Sequence, residues 1–529
     1  MSNTIVTSSP TRFRSTLQGV LASIAGSTKI TFVVVWAALS IASIAWGIST
    51  PLGASPDEPA HIIKAASVAR GELIGDPTAA PAVTRVRVPI GLSEASSWTC
   101  YAFNPAIGAN CIGPIDGGLK LHTALTSAGL YNPTYYAIVG WPALFIPDPQ
   151  TAVFAMRAVS GTLSSLFLAF AFTILLRLVR PVIAGAAFFT ALTPMVLFLS
   201  GAVNPNSLEI ATGAAFAVGL LYVVLDGHGP RQSLVLGFTA ASGFLLANAR
   251  GISPLWMALI GIAVLIVSPW SRTRALFSRR SVLIAVGVMF LGVILAVVWL
   301  LRTGSLGSMG VFPGAGKTTP VRGFYEMLVN RTFDPGIIGV FGWLDTPAPN
   351  VVYFIWIGLF AAIIAGAFAL ARGRTFYGFL FALASLLLGP PVVQALSVEK
   401  TGYIWQGRYT LVAFVFTAIM GAVAIGRSPF VTSSASSNSS AFGPVSGFVA
   451  VIGSAVFVGQ VYCIVTAVNR YSGGTTSSIF GFLNHPAWTP PGGTVVWIVL
   501  LSIGLAVPLA IWYASQALPV YRLGIDSAK

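Results

Sequence analysis

The chain has 529 residues, of which 55% are hydrophobic and 8% are charged, and its mean hydropathy is +0.84. Soluble domains carry roughly 25% charged residues, so this composition excludes a soluble globular protein, a disordered chain and a fibrous protein. The formal net charge of +15 does not indicate a nucleic-acid partner, because the basic residues flank long apolar runs, as they do in membrane proteins. The sequence therefore predicts an all-α polytopic membrane protein.

Apolar stretches long enough to cross a bilayer recur along the whole chain, since about 20 helical residues span its hydrocarbon core. About twelve transmembrane helices are predicted, at 31–50, 155–176, 182–200, 207–225, 233–249, 254–270, 281–301, 351–371, 375–397, 409–426, 445–468 and 494–515. The apolar stretch 134–147 is too short to cross, so we predict an interfacial helix there. The serine-rich run 432–443 is predicted to be a flexible linker.

The distribution of basic residues predicts that both termini are cytoplasmic. With the N-terminus inside, the inner segments contain 15 of the 29 Lys and Arg residues but only 2 of the 14 Asp and Glu residues. Such an asymmetry follows the positive-inside rule. The predicted organisation is a cytoplasmic segment at 1–30, a membrane domain at 31–515 with a long extracytoplasmic loop at 51–154, and a cytoplasmic tail at 516–529. The expected location is the plasma membrane.

Cys100 and Cys111 both fall in the first outer loop, where oxidation is permitted, and Cys463 lies alone in an apolar span. We predict a disulfide between Cys100 and Cys111, with two free thiols as the alternative. Cys463 is interpreted as a small core residue.

The first candidate for chemistry follows the first span, in the segment SPDEPAHIIKAASVARG at 55–71. One interpretation is purely structural: Ser55 is the N-cap of a helix and Glu58 closes a capping box. That box leaves Asp57 unused, and His61 lies one turn further along the same helix face. A carboxylate with a neighbouring histidine at the mouth of a lipid-facing cavity can act as general base for a sugar hydroxyl.

Three arginines near the ends of spans are candidates for binding a lipid phosphate. A departing phosphate must be neutralised, and the arginine fork can bind two of its oxygens. The candidates are Arg408 in YIWQGRY, Arg250 in LANARGISP and Arg157 at the start of the second span. The alternative for each is an interfacial arginine that reaches towards lipid headgroups.

Polar and aromatic residues at two other span ends suit sugar binding. In FGWLDTP at 341–347, Trp343 can stack on a sugar ring and Asp345 can accept hydrogen bonds from its hydroxyls. An interfacial tryptophan followed by a helix-start turn explains the same residues. Asn204, in the NPN sequence between the third and fourth spans, is polar enough to contact a ligand, but NPN is also an ordinary tight turn.

An Asp-Glu pair directly after the first span, in a long outer loop, resembles the signature of the GT-C superfamily of membrane glycosyltransferases, which take sugars from polyprenyl phosphates. NPTYY at 132–136, which contains Tyr135, is similar to the HPPLYY stretch before the second span of that superfamily, although Asn132 and Thr134 depart from it. The superfamily also often has an arginine where Arg157 opens the second span.

Further motifs resemble a bacterial branch of predicted membrane proteins that is common in actinobacteria and largely uncharacterised. They are TPMVLFLSGAVNPNSLEI at 193–210, FGWLDTP at 341–347 and QGRY at 406–409. Together the similarities cover most of residues 30–410.

The resemblance implies transfer of a sugar from a polyprenyl-phosphate donor to a glycan, lipid or protein acceptor of the cell envelope, with inversion at the anomeric carbon. Asp57 would be the general base, aided by Glu58 or His61, and the reaction would take place at the outer face. Cell-wall or polysaccharide synthesis is the expected process, with membrane lipids as further partners. The substrate-binding residues would be Arg408, Arg250, Arg157, Tyr135, Trp343, Asp345, Gln406 and Asn204.

Two other functions fit the composition. A transporter or flippase of lipid-linked saccharides should carry ionisable residues in mid-span, and the predicted spans contain almost none. A polymerase of undecaprenyl-linked glycans would use outer-loop arginines but would not explain the Asp-Glu pair. The sequence leaves open the sugar, the acceptor, the oligomeric state and whether a divalent cation binds. It indicates no nucleotide or redox cofactor, because GAGKTTP at 314–320 lacks the first glycine of a phosphate loop.

Overall fold

The structure, a computed structural model, describes residues 19–80, 82–226, 232–305, 307, 310–433, 442–474 and 480–516. Nearly all of the predicted C-terminal tail, most of the predicted N-terminal segment and most of the predicted linker lie outside these ranges.

Helices dominate the described residues. In chain order they are α1 (Thr28–Ile48), α2 (Glu58–Ala69), α3 (Ile90–Ser93), α4 (Thr134–Val139), α5 (Pro149–Leu178), α6 (Pro181–Ala191), α7 (Pro194–Ser200), α8 (Pro205–Asp226), α9 (Gln232–Ala247), α10 (Ser253–Val267), α11 (Trp270–Phe277), α12 (Arg280–Thr303), α13 (Pro320–Asn330), α14 (Asn350–Leu370), α15 (Gly373–Thr401), α16 (Gly407–Gly426), α17 (Pro429–Ser433), α18 (Phe442–Gly473) and α19 (Thr494–Ser515). The strands are β1 (Asp76–Pro77), β2 (Thr84–Pro89), β3 (Leu121–Thr126), β4 (Val340–Phe341) and β5 (Thr346–Pro347).

The helices confirm the prediction of an all-α polytopic membrane protein. Among the described residues, nine helices are long and apolar enough to cross a membrane, and two bent pairs, α6 with α7 and α10 with α11, raise the number to eleven. The remaining predicted span, 233–249, falls on α9, which is apolar but has only 16 residues. Every predicted span thus coincides with one helix or one bent pair.

The 63° bend between α6 and α7 is explained by Pro194, the first residue of α7. A proline disfavours helical backbone at the residue before it, and Thr193 is extended, with ψ 160°. The Thr193 hydroxyl donates a hydrogen bond of 2.9 Å to the carbonyl oxygen of Ile337. The Met195 N–H donates one of 2.9 Å to that of Ile338. The bend therefore holds the loop before α14 against the membrane helices.

The long loop between α1 and α5 contains a three-stranded antiparallel sheet of order β1-β2-β3, which the sequence analysis did not predict. Val86 and Val88 of β2 are buried and alternate with exposed residues, as they do on a strand with one buried face. Their partners on β3 are Ala124 and His122. This sheet packs on α2, since the Thr126 hydroxyl donates to the carbonyl oxygen of Ala60 at 2.8 Å.

The stretch 134–147 forms two short helices, α4 and a 3₁₀ helix at Trp141–Leu144, and no span. Tyr135 and Tyr136 are buried, whereas Trp141 and Phe145 are exposed. One side of this predicted interfacial segment therefore packs into the protein.

The predicted disulfide between Cys100 and Cys111 is present, and Cys463 is a buried free cysteine. Both predictions are confirmed. Arg470 of α18 holds the loop that the disulfide closes. Its guanidinium donates to the carbonyl oxygen of Tyr101 at 2.7 Å and to two further carbonyl oxygens of the loop.

The end of α1 packs tightly against the residue after α7. A Cβ atom on Gly47 would lie 2.6 Å from the carbonyl oxygen of Gly201, a contact that no larger residue tolerates without movement. Small residues of this kind allow membrane helices to approach closely. The close packing fixes where the chain leaves α1, at the start of the segment that leads to Asp57.

Candidate active site

Asp57 sits in a strained turn at the start of α2. It is the N-cap residue of that helix, with a left-handed backbone (φ 65°) and without a side-chain cap hydrogen bond. Such a conformation is uncommon outside glycine, although Asp and Asn tolerate it best. The predicted capping box is wrong, because the helix begins at Glu58 and Ser55 is not its cap. The turn leaves the carboxylate of Asp57 half-exposed, at 51% of its side chain.

The carboxylate of Asp57 binds Arg408, the second residue of α16. The distance between Arg408 Nη2 and Asp57 Oδ2 is 2.5 Å, and the side chain of Arg408 is only 2% exposed. Burial alone would raise the pKa of Asp57, but the charge of Arg408 and its hydrogen bond, with a contribution from Arg250, lower it below its usual value. Asp57 is therefore ionised at neutral pH.

Two side chains from distant parts of the chain hold the turn before Asp57. The carbonyl oxygen of Pro56 accepts a hydrogen bond from Arg408 Nη1 at 3.2 Å and from Asn204 Nδ2 at 3.3 Å. Asn204 also accepts from the N–H of Asn206 at 3.0 Å. Asn204 is thus next to the site as predicted, but its contacts orient the turn of Asp57.

Arg250 and Arg408 both lie against the ring of Tyr409. The guanidinium carbon of Arg250 is 4.4 Å from the centre of the Tyr409 ring, and that of Arg408 is 5.1 Å from it. Arg408 Nη2 also donates to the Tyr409 hydroxyl at 3.2 Å. Arg250 pairs with Glu209 of α8 at 3.4 Å, and Glu209 accepts from the Ser253 hydroxyl at 2.7 Å. The two guanidinium groups therefore lie close together, each in contact with the same aromatic ring.

His61 is buried one turn after Asp57, with its Nδ1 2.8 Å from the hydroxyl of Tyr136. Burial lowers the pKa of His61 to about 3, because the attraction of Asp57 does not compensate for burial and for the charges of Arg408 and Arg250. The imidazole is therefore neutral across the physiological range and adds no charge to the site.

Glu58 points away from Asp57 and forms a separate buried ion pair. Its two oxygens accept from Nε and Nη2 of Arg157 at 2.8 and 2.6 Å, and one also accepts from the N–H of Val203 at 3.0 Å. The other donors of Arg157 bind the carbonyl oxygens of residues 47, 50 and 51. A guanidinium has five N–H donors, and all of them are used. The predicted role of Arg157 in phosphate binding is therefore not supported, and neither is a proton-accepting role for Glu58.

Trp343 and Asp345 lie in the turn between β4 and β5. Asp345 pairs with Arg470 at 3.1 Å and is 7% exposed, so its carboxylate is occupied. The indole N–H of Trp343 donates to the carbonyl oxygen of Gly53 at 2.9 Å, and its ring contacts exposed Phe103 edge-on at 5.4 Å between centroids. Asp345 was predicted to accept hydrogen bonds from a sugar. In the structure its carboxylate is paired with Arg470 instead.

Tyr135 is also occupied, because its hydroxyl lies 2.9 Å from that of Ser160 on α5 and the side chain is buried. Gln406, by contrast, lines a cavity of about 250 Å³ together with Arg408. The predicted site residues thus divide into two groups. Asp57, His61, Asn204, Arg250, Gln406 and Arg408 come together, whereas Glu58, Arg157, Tyr135, Trp343 and Asp345 stabilise the surrounding fold.

Asp57, Glu58 and His61 do not form a metal site. Glu58 is bound to Arg157 and His61 to Tyr136. In the part of the chain that the structure describes, no group of three or more His, Cys, Asp or Glu side chains could hold a metal ion.

Tyr409, Glu209 and Tyr136 belong to the site although no role was predicted for them. Tyr409 follows Arg408 directly in QGRY, and Tyr136 follows Tyr135 in NPTYY, so both motifs contained the signal. Glu209 is an acid in an otherwise apolar span, and such residues usually face a partner.

A comparison with known protein families identifies the chain. It matches the family described as "Predicted membrane protein (DUF2142)" over residues 41–418. The chain belongs to this family. The DUF2142 region includes Asp57, Arg250 and Arg408 and ends before α18. No curated protein matches the sequence at a significant level.

Two solved structures are distantly similar. They are crystal structures of ArnT from Cupriavidus metallidurans, in the apo state and bound to undecaprenyl phosphate, with TM-scores of 0.40 and 0.41 and sequence identities of 12% and 14%. Each alignment covers 92% of this chain and 77% of that chain.

Proposed function

We propose that this DUF2142 protein is a glycosyltransferase that moves a sugar from a polyprenyl-phosphate donor to a glycan, lipid or protein acceptor of the cell envelope. The observation that carries the proposal is the pairing of a half-exposed acid, Asp57, with a buried arginine, Arg408, beside a second arginine, Arg250. An acid and two cations are what the transfer needs: a proton acceptor for the attacking hydroxyl and positive charge for the departing phosphate.

The reaction is a direct displacement at the anomeric carbon of the donor sugar. The acceptor oxygen forms the new bond to that carbon while Asp57 takes the proton of the acceptor hydroxyl. The bond between the anomeric carbon and the phosphate oxygen breaks, and its electron pair leaves with the phosphate. The lipid phosphate gains negative charge, which Arg408 and Arg250 neutralise.

The contact between Asp57 and Arg408 is the resting arrangement of this site. A donor phosphate competes with Asp57 for the guanidinium of Arg408, because charge-assisted hydrogen bonds from arginine to phosphate are strong and two-pointed. As Arg408 turns to the phosphate, the carboxylate loses the partner that lowers its pKa and becomes a stronger base. Donor binding therefore activates Asp57.

The position of the site along the chain supports a lipid-linked donor. Asp57 follows the end of α1, Arg250 precedes α10, and Arg408 lies at the start of α16. A substrate anchored in the bilayer reaches such helix ends from the side. The positive-inside rule, applied to the basic residues of the inner loops, supports an extracytoplasmic location of this end and cytoplasmic termini. The order of the motifs that resemble the GT-C superfamily is further support.

The experiment that tests the proposal compares the wild-type protein with Asp57→Asn in nanodiscs. The substrates are undecaprenyl-phosphate-linked hexoses and pentoses, and the acceptor is an envelope fraction from cells that lack this protein. The asparagine variant should fold and lose transfer, because an amide does not accept the proton. Asp76→Asn, which changes an exposed acid of the same loop, is the matched control and should keep wild-type activity. Unchanged transfer by a stable Asp57→Asn variant would refute the proposed base.

A further inference from the structure

A cavity of about 250 Å³ lies beside Arg408, between the start of α16, the start of α7 and the segment that joins α13 to β5. Its polar lining is formed by Arg331, Asp334, Gln406 and Arg408. Trp405 and several aliphatic side chains provide the apolar part of the lining. Binding sites for small molecules have this composition, with apolar walls and a few convergent polar groups.

The cavity is connected to the proposed site through Arg408. The guanidinium of this residue binds Asp57, and the same residue lines the cavity. A donor phosphate held by Arg408 would therefore place the group attached to it in or beside the cavity. In the proposed donor, that group is the sugar.

Asp334 is held close to the backbone that precedes Arg408. Its Oδ1 accepts from the N–H of Gly336 at 2.7 Å, and a Cβ atom on Gly407 would lie 2.6 Å from the same oxygen. A larger residue in place of Gly407 would therefore displace the carboxylate. The two glycines allow Asp334 to approach the start of α16, which positions an acid next to the phosphate-binding arginine.

Trp405 is also fixed in position. Its indole N–H donates to the Thr410 hydroxyl at 2.9 Å, and its backbone N–H donates to Gln394 at 3.1 Å. A fixed aromatic side chain that shares a cavity lining with an acid and an amide suits a sugar ring, which has a C–H face and a rim of hydroxyl groups. Carboxylate and amide oxygens accept hydrogen bonds from such hydroxyls.

The volume limits the size of the ligand. One water molecule occupies roughly 30 Å³ in the liquid, so the cavity has the volume of about eight waters. A single furanose or pyranose ring fits this space.

We propose that the cavity binds the single sugar ring of the lipid-linked donor and that Asp334 and Gln406 select that sugar through its hydroxyl groups. This inference rests on the proposed function and narrows the donor to a polyprenyl-phosphate monosaccharide. Asp334 and Gln406 are specificity-determining residues that do not take part in proton transfer.

The test measures the Kd of the purified protein for undecaprenyl phosphate and for the same lipid phosphate carrying a hexose, a pentose or a disaccharide. The wild-type protein should bind at least one monosaccharide-linked lipid about tenfold more tightly than undecaprenyl phosphate. Asp334→Asn should lose most of this advantage, because it removes a hydrogen bond to a charged group, and should keep the wild-type Kd for undecaprenyl phosphate.

Two further variants serve as a substitute for Asp334→Asn and as a control. Asn retains the oxygen that accepts from Gly336, so the turn should survive. If Asp334→Asn is nevertheless unstable, Gln406→Ala serves in its place, because Gln406 makes no cap hydrogen bond to α16. Glu326→Gln, an acid-to-amide change on α13 that lies outside the cavity, is the matched control and should bind both lipids as the wild type does.

Several results would overturn the inference. One is that Asp334→Asn weakens the binding of both lipids equally, or of neither. Another is that no monosaccharide-linked lipid binds to the wild-type protein more tightly than undecaprenyl phosphate does. A third is that a disaccharide-linked lipid binds as tightly as the monosaccharide-linked lipid. Binding of undecaprenyl phosphate by Arg408→Ala distinguishes a failure of the proposed sugar subsite from a failure of the proposed phosphate site. If Arg408→Ala weakens binding of undecaprenyl phosphate while Asp334→Asn changes nothing, only the sugar subsite is wrong. If Arg408→Ala leaves that binding intact, the proposed phosphate site is wrong as well.

Discussion

Glu58 and Arg157 form a buried two-point ion pair, with distances of 2.8 and 2.6 Å between their paired atoms. Asp57, the neighbour of Glu58 in the sequence, binds a different arginine, Arg408, and its carboxylate is half-exposed. Two adjacent acids therefore have different roles. Glu58 fixes the start of α2 against α5, and this fixed start presents Asp57 to the site.

The first prediction separates these roles by stability. Glu58→Ala should lower the melting temperature and the yield in detergent, because removal of one partner of a buried ion pair costs about 3–5 kcal/mol. Asp57→Asn should leave both near wild type, since asparagine also tolerates the left-handed backbone of this position and the Asp57 carboxylate is half-exposed. The measurement is thermal unfolding of the purified proteins. Equal melting temperatures for Glu58→Ala and wild type would contradict the structural role of Glu58.

The second prediction concerns the geometry of Arg408. Arg408→Lys keeps the charge but loses the fork that binds two phosphate oxygens. We expect kcat/KM for a lipid-linked sugar to fall at least about tenfold, or about 1.4 kcal/mol, and Arg408→Ala to lose more. Arg322→Lys, at an exposed arginine of α13, is the control and should retain full activity. Wild-type activity of Arg408→Lys would leave Arg250 as the main phosphate ligand.

The third prediction concerns the pH dependence of kcat/KM, which reports the ionisation of free enzyme and free substrate. Because the pKa of Asp57 is lowered from 3.8, the base is ionised at all but strongly acidic pH. Because the pKa of His61 is about 3, no inflection from this residue is expected near 6.5. The kcat/KM of the wild-type protein should therefore stay constant from about pH 5 to about pH 8, which includes the range in which histidine usually titrates.

Arg408→Gln should shift the acid limb of this pH dependence upwards. The substitution removes the charge and the hydrogen bond that lower the pKa of Asp57, and burial, which raises the pKa, then dominates. The residual activity of the variant should decline at a higher pH than that of the wild type. An inflection near 6.5 in the wild type that disappears in His61→Gln would instead identify His61 as the titrating base.

The fourth prediction concerns the loop that the disulfide closes. Cys100→Ser with Cys111→Ser should lower thermal stability, by roughly 3 kcal/mol for a bridge of this loop length. Asp345→Asn should also lower stability, because Arg470 loses the charge of its partner while it holds the same loop. The catalytic constant of the stable fraction should stay near wild type in both. A large loss of kcat without loss of stability would place Asp345 in contact with substrate.

Most of the membrane architecture could be predicted from the sequence, because long apolar runs leave few alternatives in a bilayer. The break at Thr193 was missed within the span 182–200, although Pro194 contained the signal. The sheet of β1, β2 and β3 was missed because its strands have two to six residues and because β3 pairs with a strand that is distant in sequence. Segments as short as this have too little periodicity to be distinguished from loops.

The candidate site was predictable only in part. Asp57, Arg250 and Arg408 were identified from their residue types and from their positions at span ends, and the structure brings them together. Glu58 and Arg157 were also selected, because the sequence shows charge but not the partner that neutralises it. A capping box explained Glu58 equally well, but the N-cap residue is Asp57, with a left-handed backbone (φ 65°), and not Ser55, so the helix starts two residues later than that box predicts. Partners distant in sequence, such as Asp345 and Arg470, left no local pattern.

Transfer of the sugar is most directly distinguished from transport of the intact lipid with a donor that carries one label in the sugar and another in the phosphate. The donor is an undecaprenyl-phosphate monosaccharide that the wild-type protein binds, and the protein is reconstituted in liposomes with an envelope fraction as acceptor. We expect the sugar label to move to the acceptor while an equal amount of labelled undecaprenyl phosphate is released, and we expect Asp57→Asn to do neither. Appearance of the intact, doubly labelled lipid in the opposite leaflet, with no cleavage of the sugar–phosphate bond, would contradict a transferase and identify a flippase.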